Sequence, residues 1–231
     1  MELSEDIAIL PSSDPYHCPS HLETLTWIDQ LFVYKEKTPE ERLKEAFFGI
    51  KSNNRYEVKD DTGNKIFRII EDNASWKRNF YRASRSFTMN VFNESNQEII
   101  RLVRPFDCSS CCCSNELEVQ SPPGVAIGLV RQNWHFCLPK FTVENERGEP
   151  AFKIAGPFVP HTYCADANFE LVSLNGAEID RSFGKIFKPF TGGGQDADFV
   201  LRFPRSLEVK MKATLLGACI LIDCLYYEER Q

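Results

Sequence analysis

The residues with the most distinctive chemistry are four clustered cysteines: Cys108, Cys111, Cys112 and Cys113. The acidic amino terminus shows no basic stretch followed by a long apolar one, so we see no secretory signal and expect reduced thiols. Thiols in such a run are free, carry acyl chains or bind a metal. For a metal, the pair Cys108 and Cys111 would need His135 and Cys137 to complete a tetrahedral zinc set.

A second candidate is a stretch in which aromatic and basic residues are interleaved between two predicted strands. Trp and Tyr prefer the headgroup layer of a bilayer, and each Lys or Arg adds about 1 kcal/mol near anionic lipid. The stretch is therefore a candidate membrane contact, with an ordinary solvated loop or a base-stacking RNA site as alternatives. Its residues are Trp76, Lys77, Arg78, Phe80, Tyr81, Arg82 and Arg85.

Overall charge and motif content argue against several classes of protein. The 231 residues have a formal net charge of -6 and a sequence pI of about 5.4, whereas a dedicated nucleic-acid binder normally has a basic balance. The sequence contains no nucleophile elbow, P-loop, HExxH motif or dinucleotide fingerprint. We therefore expect no covalent catalysis and no organic cofactor.

Repeated hairpins are the main structural signal. Five times, a residue in an alternating apolar and polar run is followed seven positions later by Gly or Asn, where a tight turn needs a positive φ. The five pairs are Tyr56 and Gly63, Met89 and Asn96, Leu117 and Gly124, Phe141 and Gly148, and Phe169 and Gly176. An open meander of this length would expose its edges, so we predict a mainly β fold, a closed antiparallel barrel of about twelve strands.

The amino-terminal part is organised differently. Residues 1–22 are polar and contain prolines, so we expect a flexible tail before a single barrel domain over residues 23–231. Residues 25–34 have the composition of a strand. One short helix is predicted to begin after Thr38, with Pro39 in its first position and Glu41 completing a capping box; we expect it to end near Gly49.

The carboxyl-terminal segment, residues 213–227, is apolar except for Asp223. A bilayer-spanning helix needs about 20 apolar residues, so this segment favours a buried core helix, with membrane insertion as the alternative. A large barrel has room for such a helix along its axis. The residues that we expect it to bury there are Leu215, Leu216, Gly217, Ile220, Leu221 and Asp223.

Several motifs over residues 25–228 resemble the phospholipid scramblase family and follow the family's order. They include Asn53-Asn54-Arg55-Tyr56-Glu57-Val58, Pro122-Pro123-Gly124-Val125, Trp134-His135, Leu138-Pro139-Lys140-Phe141-Thr142 and Val209-Lys210-Met211-Lys212-Ala213. The resemblance implies a Tubby-like fold, which is a closed barrel around a buried hydrophobic carboxyl-terminal helix. This expectation agrees with the one drawn from periodicity and length.

The resemblance also implies a function at membranes. It makes Cys111, Cys112 and Cys113, with Cys108 nearby, palmitoylation sites that hold the protein on the cytosolic face of a membrane, the plasma membrane first, with the nucleus as a second location. The expected activity is ATP-independent, bidirectional movement of phospholipids between leaflets. The alternative is a lipid-tethered, lipid-binding adaptor or regulatory module without transport activity.

For calcium, the resemblance places the family's acidic segment at Asp196, Asp198 and Glu208. Carboxylates in such a segment suit an oxygen-ligated Ca²⁺ ion. This chain lacks one residue after Asp198 and has Arg205 and Ser206 where relatives have apolar and acidic residues. We therefore expect a weakened Ca²⁺ site with low or no affinity.

Overall fold

The computed structural model describes residues 19–48, 52–72, 86–105, 115–158, 166–174, 182–190 and 197–228. This part of the chain contains twelve strands in one closed antiparallel barrel, in which each strand pairs with its neighbours in sequence and the first closes on the last. The strands are β1 (Gln30–Lys35), β2 (Arg55–Lys59), β3 (Lys65–Glu71), β4 (Phe87–Phe92), β5 (Glu98–Arg104), β6 (Glu116–Gln120), β7 (Ala126–Asn133), β8 (Lys140–Asn145), β9 (Pro150–Ala155), β10 (Ala167–Ser173), β11 (Ser182–Lys188) and β12 (Phe199–Arg202). The predicted fold class is therefore confirmed.

Three of the hairpin turns share one mechanism. The side-chain oxygens of Asp60, Asn93 and Asn145 each accept a hydrogen bond from the backbone N–H four residues later, at 2.8, 2.9 and 3.0 Å respectively. An Asx side chain that bonds forward in this way favours a turn over a continued strand. The residue three positions after each, Gly63, Asn96 or Gly148, has a positive φ. The sequence-predicted turns thus fix the register of these hairpins.

Two helical elements precede or follow β1. A 3-10 helix at Ser20–Leu25 buries Leu22 and Leu25, so the prediction of a strand over residues 25–34 was wrong in its first half. Helix α1 (Pro39–Phe48) lies between β1 and β2, as predicted. Of the predicted flexible tail, residues 1–18 lie outside the described residues, so that assignment stays a prediction.

The carboxyl-terminal helix α2 (Val209–Tyr226) occupies the interior of the barrel. Every residue from 211 to 224 is buried, which agrees with the apolar character of all its faces. The helix packs most closely on β6 and β7. A Cβ at Gly217 would lie 2.7 Å from Cγ2 of Val119, so a residue without a side chain permits this approach. Neither helix in the described part of the chain has the length and apolar composition of a membrane span.

The meander gives the barrel two different ends. At the first, which we call the turn end, β2, β4, β6, β8 and β10 finish and the next strand begins. At the other, which we call the aromatic end, β1, β3, β5, β7, β9 and β11 finish. Helix α2 runs from the turn end, where it begins after Glu208, to the aromatic end, where it finishes at Tyr226.

Candidate functional site: the aromatic end of the barrel

Large apolar side chains are exposed on four neighbouring connections at the aromatic end. These are the connections between β7 and β8, β9 and β10, β11 and β12, and β1 and β2, which follow one another around the closed barrel. The exposed residues are Trp134 and Phe136, then Phe158, then Phe190, and finally Leu43, Phe47 and Phe48. Single exposed apolar residues are ordinary on protein surfaces, but their concentration at one end marks an interaction surface.

The connection between β7 and β8 is a hydrogen-bonded turn. Nδ1 of His135 accepts the backbone N–H groups of Cys137, at 3.2 Å, and of Leu138, at 3.0 Å. This closure leaves the side chains of Trp134 and Phe136 at 90% and 87% exposure. These two aromatic rings are therefore displayed by a structured turn. Trp134 and His135 carry part of the family resemblance, but the sequence alone did not indicate that the two rings are exposed.

Helix α1 is positioned by the capping box that the sequence predicts. The N–H of Glu41 bonds Oγ1 of Thr38 at 3.2 Å, and the N–H of Thr38 bonds a carboxylate oxygen of Glu41 at 2.9 Å. The other oxygen of Glu41 pairs with the Arg55 guanidinium of β2. Leu43 and Phe47 lie one turn apart, so they share a helix face, and both are exposed. The helix therefore presents an apolar face away from the core.

The turn end has the opposite character. The hairpin turns that the structure describes at this end, residues 60–64, 93–97, 121–125 and 146–149, contain the carboxylates of Asp60, Asp61, Glu94, Glu146 and Glu149 and the guanidinium of Arg147. Among the described residues, only Trp27 and Val125 are exposed large apolar side chains there. This end is therefore mostly polar and acidic.

Beneath the aromatic end, Asp223 of α2 forms a buried ion pair. One carboxylate oxygen accepts hydrogen bonds from Nζ of Lys35, at 2.6 Å, and from the hydroxyl of Tyr56, at 2.7 Å. The other oxygen is buried without a hydrogen-bond partner among the described residues. The pair joins the last turn of α2 to the end of β1 and the start of β2, so it fixes the helix inside the barrel.

The surrounding charges keep this pair ionised. Burial by itself would raise the pKa of Asp223, but the Lys35 charge and the two hydrogen bonds hold it below its ordinary value. Burial would lower the pKa of Lys35, but the charges of Asp223 and Glu228 leave it raised. Burial, followed by the Asp223 charge, raises the pKa of Tyr56 well above its usual value. Lys35 and Asp223 are therefore charged, and Tyr56 is neutral, around neutral pH.

The predicted calcium residues lie apart in the structure. The backbone N–H of Lys35 donates to a carboxylate oxygen of Asp198 at 2.7 Å, which places Asp198 at the aromatic end. Glu208 immediately precedes α2 at the turn end. At a rise of about 1.5 Å per residue, it lies about 22 Å along the helix axis from Asp223, which is near the aromatic end. Asp196 lies outside the described residues. Within the described part of the chain, no group of His, Cys, Asp or Glu has the geometry of a metal site.

The predicted lipidation and membrane-contact residues lie outside the described residues. They fall in segments 106–114 and 73–85. The described strands before these segments, β5 and β3, end at the aromatic end, and the strands after them, β6 and β4, begin there. The residues beside the cysteine segment are fixed by polar contacts: Arg104 donates to Asn115, whose amide donates to Gln132, and the Gln132 amide contacts the Tyr226 hydroxyl of α2 at 2.6 Å. The zinc alternative for Cys108 and Cys111 likewise stays a prediction.

Several residues that hold α2 inside the barrel had no signal in the sequence-based interpretation. Lys35 and Tyr56 belong to ordinary alternating strands, and only the fold brings them to Asp223. Lys212 was part of a family motif without an assigned role, yet its Nζ is enclosed by four backbone carbonyls, those of Leu25, Thr26, Ile28 and Arg205, at 2.8–3.2 Å. A charged residue within an apolar helix is the signal that could have predicted buried partners.

Comparison with known proteins agrees with this architecture. The sequence profile of the Scramblase family matches residues 10–229. Phospholipid scramblase 2 of Bos taurus is 43% identical over 222 residues, which cover 93% of this chain and 73% of that protein. Phospholipid scramblase 1 of Homo sapiens is also 43% identical over 222 residues, covering 93% and 68%. The chain spans 64% of the length of Phospholipid scramblase 1 of Rattus norvegicus, at 42% identity.

No solved structure matches the chain significantly. The match of the family profile across the barrel and α2, together with relatives that share two fifths of their residues over most of the chain, gives one assignment: this chain belongs to the scramblase family.

Proposed function

We propose that this chain is a membrane-attached, scramblase-like protein that moves phospholipids between bilayer leaflets in both directions without ATP. The observation that carries the proposal is the family match over residues 10–229, with relatives named phospholipid scramblases at 43% identity. The reaction makes and breaks no covalent bond. It needs a path that lowers the cost of moving a polar headgroup through hydrocarbon.

The filled barrel restricts where that path can lie. Helix α2 is buried from residue 211 to residue 224, and its approach to β6 requires Gly217. A close-packed interior of this kind leaves no room for a headgroup. We therefore place lipid movement outside the barrel core, at the surface where the protein disturbs the adjacent bilayer.

Attachment to that bilayer is assigned to Cys111, Cys112 and Cys113, with Cys108 as an additional acylation site. One acyl chain gives only reversible binding, whereas two or more hold a protein stably on a membrane. The cysteine segment joins β5 to β6 at the aromatic end, so its acyl chains would bring this end to the membrane. The corresponding location is the cytosolic face, the plasma membrane first.

Preference for anionic lipid is assigned to Lys77, Arg78, Arg82 and Arg85. Each of these cations would contribute about 1 kcal/mol near a negatively charged surface. Neutralising all four to Gln should therefore weaken binding to vesicles that contain phosphatidylserine and leave binding to pure phosphatidylcholine nearly unchanged. Equal flotation of the variant and the natural protein with both vesicle types would contradict the assignment.

For calcium, we propose weak binding that involves Asp196 and Asp198. The Asp198 carboxylate already accepts the Lys35 N–H, and its main-chain carbonyl lies 3.4 Å from Nζ of Lys188. A cation this close disfavours a second positive ion. Isothermal titration of the natural protein and the Asp196→Asn, Asp198→Asn variant tests this: heat that survives in the variant would place the ion elsewhere.

Reconstitution tests the activity directly. Purified full-length protein is incorporated into vesicles whose two leaflets both contain a fluorescent phospholipid, and a membrane-impermeant reductant is added outside. If lipids cross, the reductant removes almost all fluorescence; if they do not, it removes only the outer-leaflet fraction. Heat-unfolded protein at equal density is the control for leakage.

The alternative function is a lipid-tethered adaptor that binds lipid without moving it. The filled interior favours this candidate, because a barrel with a packed core provides a rigid surface and no conduit. It predicts vesicle binding with only outer-leaflet fluorescence lost. The same reconstitution therefore separates the two functions, since binding is common to both and transport is not.

A further inference from the structure

The exposed apolar residues of the aromatic end have an arrangement suited to a flat partner. They occupy four consecutive connections, from the one between β7 and β8 to the one between β1 and β2, which join eight of the barrel's twelve strands. Residues on separate loops around a ring do not form a groove that would enclose a peptide or a helix. They can all contact a plane that faces the end of the barrel.

The composition of this surface fits the boundary layer of a bilayer. Trp134 is an amphipathic ring that prefers the headgroup level, and Phe136 beside it can enter the apolar layer. Helix α1 adds an exposed apolar face at Leu43 and Phe47, with charged Glu40 and Lys44 exposed on the same helix. The exposed apolar side chains of Leu43 and Phe47 could therefore bury their area in the interfacial layer of a bilayer.

Charge polarity along the barrel favours the same orientation. The acidic turns of the turn end, with Asp60, Asp61 and Glu146 among their residues, would be repelled by anionic lipid. Strand β3 ends and β4 begins at the aromatic end, and the sequence between them contains four cations. Approach with the aromatic end first therefore places the acidic turns farthest from the membrane.

We propose that the aromatic end is a docking surface for a phospholipid bilayer, in which Trp134, Phe136 and the exposed face of α1 enter the interface while α2 stays inside the barrel. The proposal rests on the proposed function only in the choice of a lipid bilayer as the partner. It needs no acyl chain, so docking is a property of the folded barrel itself and would orient the protein before or after acylation.

Tryptophan fluorescence tests the orientation with the chain's own probes. The three tryptophans are Trp27, Trp76 and Trp134, and Trp27 is 79% exposed at the turn end. Two full-length variants produced without acylation each keep one of the two described tryptophans, with the other two replaced by Phe. Vesicles of phosphatidylcholine with phosphatidylserine are then added, with and without brominated acyl chains.

The expected result is a blue shift and bromine quenching for the variant that keeps Trp134, and neither for the variant that keeps Trp27. Quenching of Trp27, or no change at Trp134 while the protein floats with the vesicles, would overturn the proposal. If the emission of Trp134 is already blue-shifted without lipid and the protein sediments as a dimer, the surface is occupied by a second copy and the proposal is also overturned.

A pair of matched substitutions gives an independent measure. Because both rings are almost fully exposed, Trp134→Ser with Phe136→Ser should leave the fold intact and reduce the vesicle partition coefficient about tenfold or more. Trp27→Ser is the control and should leave partitioning unchanged. Equal partitioning of both variants would overturn the proposal. Unchanged partitioning of the Trp134→Ser, Phe136→Ser variant, together with fluorescent-lipid transport by the reconstituted natural protein, would overturn the docking surface alone. Reduced partitioning of that variant, with no transport by the natural protein, would overturn the scramblase assignment alone.

Discussion

The two ends of this barrel differ in the length and the composition of the connections between the same strands. At the turn end, the connections are short. The side chains of Asp60, Asn93 and Asn145 each accept a hydrogen bond there from the backbone N–H four residues later. At the aromatic end, the connections are longer and display Trp134, Phe136 and their neighbours. The short turns set the register of the sheet, and the longer connections are available for recognition, as in many folds.

The same contrast extends to the charges at the two ends of α2. Lys212 lies in its first turn and Asp223 in its last, and each has the sign that the helix dipole disfavours at that end. Lys212 is stabilised by the carbonyls of Leu25, Thr26, Ile28 and Arg205. Asp223 is stabilised by an ion pair. The charge at the start of α2 is therefore stabilised by neutral carbonyl dipoles, and the charge at its end is stabilised by an opposite charge.

The largest expected effect comes from breaking the ion pair. Asp223→Ala leaves the ammonium of Lys35 and the hydroxyl of Tyr56 buried without their acceptor, so the free energy of unfolding should fall by about 3–5 kcal/mol. Urea denaturation measures the change. The double variant Lys35→Met with Asp223→Leu removes both charges and should lose less than Asp223→Ala alone. A loss below about 1 kcal/mol in the single variant would contradict the role of the pair.

Breaking the other end of the helix should cost somewhat less. Lys212→Met keeps most of the side-chain volume but leaves the carbonyls of Leu25, Thr26, Ile28 and Arg205 without their common donor, so we expect a loss of about 2–3 kcal/mol in the free energy of unfolding. Lys210→Met is the matched control, because Lys210 pairs with Glu146 near the surface and should contribute no more than about 0.5 kcal/mol. Similar losses of unfolding free energy in the two variants would show that the contacts of Lys212 with the four carbonyls contribute no more than the surface ion pair of Lys210.

Acid should weaken the stabilising contacts at one end of α2 and leave those at the other end unchanged. The pKa of Asp223 is lowered in the folded protein, so its stabilising effect is complete above the unfolded value of about 3.9 and is lost as pH falls through the folded pKa. The stability difference between the natural protein and Asp223→Ala should therefore narrow in strong acid. The difference between the natural protein and Lys212→Met should not, because carbonyls do not titrate. If the stability differences of both variants from the natural protein narrowed equally in acid, the two ends of α2 would not differ in the way proposed.

The smallest effect on stability, with a measurable effect on binding, is expected at the surface of α1. Leu43→Ser with Phe47→Ser changes residues that are already exposed, so the free energy of unfolding should stay within about 0.5 kcal/mol. Vesicle binding should fall severalfold, because the exposed face of α1 loses its apolar contact with lipid. Val125→Ser at the turn end is the control. An equal loss of vesicle binding in that variant would show that the aromatic end is not the end that contacts lipid.

The sequence predicted the parts of the fold that local rules determine. Seven-residue spacing to Gly63, Asn96, Gly124 and Gly148 indicated the hairpins, since a positive φ at a turn is a local requirement. The apolar carboxyl-terminal segment indicated a buried helix because it has no polar face. Residues 25–29 were misassigned, because the 3-10 helix and the turn after it depend on carbonyl contacts with the distant Lys212.

The candidate site was less predictable because it depends on nonlocal geometry. Exposure of Trp134 and Phe136 follows from the His135 turn and from the position of that turn at the barrel's end, and neither is visible in residue types alone. Lys35, Tyr56 and Asp223 meet only when the barrel closes around α2. The family resemblance grouped Asp198 and Glu208 in one acidic segment, but they lie at opposite ends of the barrel, which α2 spans.

Hydrogen exchange of the full chain, free and bound to vesicles, tests the central claim most directly. The claim is that the barrel meets lipid through its aromatic end while α2 stays enclosed. We predict slower exchange on binding at residues 134–138 and in α1, no change in the turns at residues 60–64 and 146–149, and equal, strong protection of residues 213–224 in both states. Exchange in α2 that changes on binding, or new protection confined to the turn end, would contradict it.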